Sequence, residues 1–185
     1  MDAYRRDEVY SPPEMKTLHL LRHAKSSWDD PVIPDRQRPL SRRGENAARR
    51  LASHMERKQI GVDLVLCSSA VRARQTFEIV APGLGREPVV SVEEGLYTAD
   101  GPALLRRLKV IDQEVATALL IGHNPAIYDL AVYLASGGET EALQAMSEKF
   151  PTGALATLSI TATWDLLDQG AGYLQSFVVP RQLPR

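Results

Sequence analysis

The stretch at residues 18–26 limits most strongly what this chain can fold into. It begins with a short, mostly apolar run and stops abruptly on Arg22 and His23. The run has strand length and no room for a helix, which predicts a strand covered on both faces, as in a parallel sheet. Such strands place functional residues at their carboxyl ends. Taken alone, a surface ion pair and a hydrogen-bonded loop histidine explain the Arg-His pair at least as well.

The same pattern recurs at two later points in the chain. A mostly apolar run that begins at Asp63 leads into Ser68-Ser69, and a mostly apolar run at 116–121 leads into Gly122-His123-Asn124. A further short strand is predicted at 88–92. Helical spacing predicts helices at 41–59, 70–80, 102–111 and 126–135, the first capped by Ser41 and the last ended by Gly137-Gly138. Strands that alternate with helices predict an α/β fold, a three-layer α/β/α sandwich with a mostly parallel central sheet.

The carboxyl-terminal part of the chain predicts two more strands, at 154–161 and 173–179. A turn around Asp168-Gln169-Gly170 joins them. We expect both to lie at the edge of the same sheet.

Composition narrows the class of protein. At 185 residues we expect a single domain at 16–185, preceded by a flexible polar arm at 1–15. The 22 basic and 23 acidic residues give a net charge of -1, so nothing global predicts a nucleic-acid or membrane partner. We expect the protein in the cytoplasm for three reasons. It has a single cysteine, Cys67, it shows no signal-peptide pattern, and it lacks an apolar stretch of about 20 residues.

Three strand ends are expected to meet at one edge of the sheet. They would bring together Arg22 and His23, the segment that contains Arg72, and His123. Guanidinium groups are permanently charged donors suited to phosphate oxygens, and a histidine offers a donor or a nucleophilic nitrogen. On a nearly neutral protein this local positive charge predicts a phosphate site.

These motifs, in this order and spacing, resemble the histidine phosphatase superfamily, also called the phosphoglycerate mutase-like family. The resemblance rests on Leu-Arg-His-Ala at 21–24, Ser-Ser-Ala-Val-Arg-Ala-Arg-Gln-Thr at 68–76 and Gly-His-Asn-Pro at 122–125. Three features are similar to the SixA branch of phosphohistidine phosphatases: the segment at 35–44, the short chain, and the compact segment between Thr76 and His123. The resemblance covers roughly residues 16–177.

The resemblance implies a role for each residue of the site. His23 would attack phosphorus and form a covalent phosphohistidine, which water then hydrolyses. Arg22, Arg72 and His123 would bind the equatorial oxygens of the phosphoryl group. No metal or other cofactor is implied. One nitrogen of His23 must be neutral and aimed at phosphorus, so its other nitrogen needs an acceptor such as a backbone carbonyl.

Four further residues are candidates for substrate binding. Arg38 matches an arginine of the SixA pattern and would reach the phosphate, or it forms a surface pair with Asp35. Lys25 and Ser26 follow the nucleophile and would line the mouth of the pocket. Asn124 would hydrogen-bond near the phosphate, or cap the helix that follows it.

A general acid is the least defined part of the predicted site. Many superfamily members use a glutamate after the third strand, and Glu93 and Glu94 lie in that region without the surrounding motif of the mutases. The other reading is a solvated acidic turn. A phosphohistidine has a labile P–N bond, so its cleavage depends less on a strong acid than cleavage of an ester does.

We therefore expect a metal-independent phosphatase that acts on phosphohistidine in a protein. The partners would be a phosphorylated protein or a small phosphorylated metabolite, with no nucleic acid and no membrane. Short connecting segments leave little chain for a lid, which favours a protein substrate. The alternatives are a phosphatase of a small phosphomonoester, such as a sugar or nucleotide phosphate, and a non-catalytic phosphate-binding regulatory module.

Overall fold

A computed structural model describes residues 15–184 of the chain. Most of the arm expected at 1–15 lies outside these described residues. Within them, no helix is both long and apolar enough to cross a lipid bilayer.

A seven-stranded sheet forms the centre of the fold. Its order is β3-β2-β4-β1-β6-β7-β5, and four of the six neighbouring pairs are parallel, because only β1 with β6 and β6 with β7 are antiparallel. The mostly parallel sheet predicted from the sequence is confirmed. The strands are β1 (Lys16–Arg22), β2 (Leu64–Ser68), β3 (Val89–Glu93), β4 (Thr117–Gly122), β5 (Ala135–Gly138), β6 (Leu155–Ile160) and β7 (Gly172–Val178).

Helices cover both faces of the sheet and give the predicted three-layer sandwich. Leu18 and Leu20 of β1 belong to one hydrophobic core and Leu21 to the other, because successive strand side chains point to opposite faces. Residues of α4, α5 and α6 pack in the first core, and residues of α1 and α2 pack in the second. The helices are α1 (Arg42–Arg57), α2 (Val71–Val80), α3 (Gly95–Thr98), α4 (Gly101–Lys109), α5 (Ala126–Leu134) and α6 (Thr140–Glu148).

The carboxyl-terminal half differs from the sequence prediction. Strands β6 and β7 are not at the edge, because β6 pairs with β1 and the short strand β5 pairs with the far side of β7. Gly137 and Gly138 do not merely end a helix but lie in β5. A Cβ on Gly138 would lie 2.6 Å from the Leu174 backbone oxygen, so this glycine allows the close approach to β7.

Helix α1 is fixed against the segment that follows β1. The hydroxyl of Ser41 accepts the amide of Gly44 and thus caps the helix as predicted, while the amide of Ser41 donates to the Lys25 carbonyl at 2.9 Å. A Cβ on Gly44 would lie 2.1 Å from that same carbonyl oxygen. Glycine at this position therefore lets the helix approach the chain two residues after His23.

Candidate active site

The three predicted strand ends meet because β2, β4 and β1 are consecutive parallel strands. Arg22 pairs with Gly122 across β1 and β4, and Cys67 pairs with Ile121 across β2 and β4. His23 and His123 follow directly, and their ring centroids lie 4.9 Å apart. The sheet therefore brings together the side chains that the sequence places at its carboxyl edge.

His23 is buried and held in one orientation. Its Nδ1 lies 2.7 Å from the Ala24 carbonyl oxygen, which can only accept, so we assign the proton to Nδ1. The Nε2 atom then carries the lone pair, and Arg72 Nε donates to it at 3.3 Å. The expectation that a backbone carbonyl would fix the ring of His23 agrees with this geometry.

The backbone around His23 is also tied to neighbouring segments. The amide of Ala24 donates to the hydroxyl of Thr76 on α2, and that hydroxyl donates to the carbonyl of Arg72 at 2.6 Å. The amide of Gly153 donates to the carbonyls of both Arg22 and His23, at 2.9 and 3.0 Å. The nucleophile candidate is therefore fixed from two sides.

Arg72 reaches the site from α2 and is occupied by Asp35. Its Nη2 donates to Asp35 Oδ2 at 2.9 Å and its Nη1 to the Asp35 carbonyl at 2.5 Å. The Tyr97 hydroxyl donates to the same carboxylate oxygen at 2.9 Å, and the ring of Tyr97 packs edge-on against His123. Burial alone would raise the pKa of Asp35, but the hydrogen bonds from Tyr97 and Arg72 outweigh burial and lower that pKa.

His123 and Arg22 complete the cluster. His123 Nε2 lies 2.7 Å from the Ser68 hydroxyl, while its Nδ1 is buried without a hydrogen-bond partner in the described residues. Arg22 Nη1 donates to the Phe150 carbonyl at 2.8 Å, and its Nε is likewise buried and unpartnered there. His123 Nδ1 and Arg22 Nε are thus two buried polar atoms of the cluster whose hydrogen-bonding capacity is unused in the described residues.

Both histidines are neutral at physiological pH. Burial lowers the pKa of His23 to about 3, against the opposing hydrogen bond to Ala24, and the charges of His123, Arg72 and Arg22 lower it further. Burial lowers the pKa of His123 to about 4, again with Arg72 contributing. Neutral imidazole is the form that can act as a nucleophile.

The four predicted substrate-binding residues are placed differently from one another. Arg38 is buried rather than at the surface. Its guanidinium donates to the Ser27 carbonyl and lies 3.0 Å from the centroid of the Trp28 ring. Its Nη1 lies 3.4 Å from Asp35 Oδ1. Ser26 Oγ accepts from Arg38 at 3.5 Å.

Asn124 and Lys25 point to other neighbours. Asn124 Nδ2 donates to the Phe150 carbonyl at 3.0 Å, the same acceptor that Arg22 uses, and Pro125 occupies the cap position of α5. Lys25 is exposed and lines a separate cavity with Arg43 and Lys149.

The two glutamates considered as general acids are engaged elsewhere. Arg107 binds both carboxylate oxygens of Glu93 at 2.7 to 3.0 Å, and Glu94 pairs with Arg36. Burial alone would raise the pKa of Glu93, but the hydrogen bonds from Arg107 and Ser91 outweigh burial and lower that pKa, so the carboxyl is ionised. Neither glutamate forms a hydrogen bond or ion pair with the clustered arginines and histidines within residues 15–184.

Sequence reasoning missed three side chains that touch the cluster directly: Asp35, Ser68 and Tyr97. Ser68 could have been singled out, because it ends a buried strand beside the one that leads to His123. Asp35 and Tyr97 carried no signal, since both reach the site from irregular or short elements whose path only the folded chain reveals.

Other nucleophilic or ligand-type residues lie away from the site. Burial raises the pKa of the Cys67 thiol to about 12, so this cysteine is a thiol within the core. His19 is buried, with Nδ1 3.0 Å from the Thr157 hydroxyl. Within residues 15–184 no three His, Cys, Asp or Glu side chains are grouped so that they could hold a metal ion.

Comparisons with known proteins agree with this geometry. Residues 18–98 match the family model of the histidine phosphatase superfamily (branch 1). An uncharacterized protein of Mycobacterium leprae is 36% identical over 165 residues, which cover 87% of this chain and 100% of that protein. The phosphohistidine phosphatase SixA of Escherichia coli is 28% identical over 145 residues, which cover 77% of this chain and 84% of SixA.

The solved structure of the protein histidine phosphatase SixA in complex with tungstate superimposes with a TM-score of 0.71. It is 26% identical, and the match covers 89% of this chain and 97% of that one. The resemblance drawn from the three motifs is confirmed, and with it the phosphoglycerate mutase-like fold. The chain belongs to the histidine phosphatase superfamily, with SixA phosphohistidine phosphatases among its structural neighbours.

Proposed function

We propose that this protein hydrolyses phosphohistidine in a protein substrate through a covalent intermediate on His23. Membership of the superfamily supports phosphatase activity in general. The observation that carries the specific proposal is the state of His23, whose Nδ1 proton is held by the Ala24 carbonyl and whose Nε2 lone pair is directed toward Arg72. A neutral ring fixed in this way is ready for in-line attack without prior deprotonation.

The proposed reaction has two displacement steps. In the first, a bond forms between His23 Nε2 and phosphorus as the P–N bond to the substrate imidazole breaks, and the leaving imidazole takes a proton from solvent. In the second, the oxygen of water attacks phosphorus and the P–Nε2 bond breaks, with its electron pair returning to Nε2. The protons of the water leave with the phosphate or pass to solvent, and His23 returns to the neutral form. No metal takes part in either step.

Three donors would stabilise the transferring phosphoryl group. Ser68 accepts the amide of Ala70 at 3.3 Å, which leaves its own proton for His123 Nε2. Neutral His123 then carries its proton on Nδ1, where it can donate to a phosphoryl oxygen. Arg22 and Arg72 supply permanent positive charge, and such preorganised donors are the main catalytic contribution in phosphoryl transfer.

The choice of substrate rests on the open surroundings and on the pairing of both candidate acids, Glu93 and Glu94, with arginines outside the cluster. Between α2 and β4 the chain forms a 3-10 turn at Ala81–Gly83, strand β3 and two helices of four and nine residues, α3 and α4, which leaves little chain for a lid. With Glu93 and Glu94 both paired to arginines, the site favours a leaving group that departs without strong acid assistance. A phosphohistidine imidazole meets that condition better than an alkoxide.

The covalent step is tested by trapping. A phosphohistidine protein carrying radioactive phosphorus is mixed with the enzyme and quenched with alkali, because phosphohistidine is stable to base and labile to acid. We expect label on the parent protein and on His54→Ala, and none on His23→Ala. An unlabelled parent would overturn the covalent mechanism.

Substrate class and metal independence need separate measurements. We expect faster turnover of the phosphohistidine protein than of p-nitrophenyl phosphate, and faster turnover of the ester would favour the small-phosphomonoester phosphatase instead. A chelator should leave the rate unchanged. A loss of rate that added divalent metal restores would contradict the metal-free reaction.

A further inference from the structure

A second cationic cavity lies beside the active-site strand end. It has a volume of about 210 Å³ and is formed by four segments: the chain after β1, helix α1, the residues before β6 and the residues after β7. None of the four predicted catalytic residues lines it. Five of its ten lining residues are cationic and none is acidic: Lys25, Arg43, Arg50, Lys149 and Arg181.

Helical geometry explains why α1 presents two of these charges together. Arg43, Ala47 and Arg50 follow the spacing of one helix face and all line the cavity. Lys25 is held next to the start of the helix, because its carbonyl accepts both the amide and the hydroxyl of Ser41. The backbone therefore places the positive charges of Lys25, Arg43 and Arg50 close together.

The five cations have no protein counter-charge in the described part of the chain. None of them forms an ion pair there, whereas the neighbouring Arg49 on α1 pairs with Glu45 at 3.5 Å. Arg50 Nε is moreover buried without a hydrogen-bond partner within residues 15–184. A buried donor that lacks a partner is costly unless a ligand satisfies it.

Charge balance indicates the size of that ligand. A single phosphoryl group carries roughly −2 at most near neutral pH, which would leave about three of the five positive charges uncompensated. Three of the five cations are arginines, whose planar donors match phosphate oxygens. We propose that this cavity is a second anion site that binds a ligand with two linked phosphoryl groups, either as free pyrophosphate or as the diphosphate of a larger molecule.

Calorimetric titration of the full chain with pyrophosphate tests the proposal, at constant ionic strength and without metal. We expect two sites in the parent protein. The double variant Arg43→Gln, Arg181→Gln should weaken one site at least tenfold and keep the other, whereas Arg72→Gln should weaken only the site at His23. Absence of any site that the double variant weakens and Arg72→Gln leaves intact would overturn the proposal.

The matched control is Arg49→Gln, Arg57→Gln, which also removes two exposed charges but touches no lining residue of the cavity. It should retain both sites; equal weakening by the two double variants would mean that only net charge matters, and would contradict a built site. Orthophosphate should bind the second site more weakly than pyrophosphate, and equal affinity would overturn the two-phosphoryl assignment. Titration with a nucleoside diphosphate distinguishes the two possible ligands. Binding at the second site assigns the diphosphate of a larger molecule, and failure to bind there assigns free pyrophosphate.

Discussion

Ser68 lies outside the predicted set of catalytic and binding residues but contacts one of them, His123, directly. It is fully buried at the end of β2, and its hydroxyl is the only hydrogen-bond partner of the His123 ring among the described residues. By fixing which nitrogen of His123 carries the proton, Ser68 would direct the remaining N–H toward the phosphoryl group. It is thus a positioning residue that acts through His123.

Replacing Ser68 with alanine should lower kcat by about tenfold, less than the 10²- to 10³-fold loss typical of removing a transition-state donor outright. Steady-state kinetics measure the loss, and nitrogen NMR of the His123 ring should show a mixed tautomer in the variant. Ser159→Ala, on the buried part of β6, is the control and should change neither. An unchanged tautomer in Ser68→Ala would contradict the positioning role.

At this scale the sequence predicted the cluster but not its contacts. Arg22, His23, Arg72 and His123 could be grouped because strand ends of a parallel sheet converge. The partner of Arg72 could not be predicted, because Asp35 lies in a proline-rich loop with no periodicity. Arg38 had two readings, and neither anticipated that Trp28 and the Ser27 carbonyl would hold it in a buried position.

Helix α1 contacts the segment that follows His23, the proposed nucleophile. Its first turn touches the Lys25 carbonyl through both Ser41 and Gly44, two residues after His23. Any displacement of the helix start is therefore transmitted to the catalytic segment.

Gly44→Ala should destabilise the protein by about 1–3 kcal/mol and lower kcat, because a Cβ would overlap the Lys25 oxygen at 2.1 Å. Denaturant unfolding and steady-state kinetics measure the two effects. Gly95→Ala is the matched control, since its Cβ would meet no atom within 4 Å. Equal stability of the two variants would show that α1 can move away without cost.

Elements with helical periodicity or an apolar run were predictable, whereas the shortest strand and a polar helix were not. Strands β1, β2 and β4 have mostly apolar sequences, and α1 has a cap and a clear apolar face. Strand β5 has only four residues, two of them glycine, and its pairing depends on a distant partner in β7. Helix α6 was overlooked although Ala142 and Met146 have helical spacing, because the polar residues around them resemble a loop.

For the molecule as a whole, buried histidines link folding to pH. His19, His23 and His123 have pKa values of about 4, 3 and 4 in the folded protein, because burial lowers each of them. In the unfolded chain each should titrate near 6.5. The unfolded state therefore binds more protons below that pH, and folding stability is lost as pH falls through the window from about 6.5 to about 4.

We expect the free energy of unfolding to fall by up to about 1.4 kcal/mol per pH unit for each of these histidines within that window. Denaturant unfolding at several pH values measures the slope. His19→Gln should make the slope shallower by one proton, whereas His54→Gln, at a half-buried position on α1, should change it less. Parallel pH profiles for the parent and His19→Gln would contradict the assignment.

The pairing of Arg72 with Asp35 has a consequence for which anions the protein admits. The Asp35 carboxylate competes with any entering anion for the Arg72 guanidinium. Because it belongs to the same chain, its effective concentration beside that guanidinium is high. If Arg72 binds the phosphoryl group as proposed, an entering anion would compete with this carboxylate, and a doubly charged phosphoryl group would compete better than a weak singly charged anion. Asp35 would thus select against weakly binding anions. When the substrate binds Arg72, the released Asp35 carboxylate would leave a free negative charge at the edge of the site.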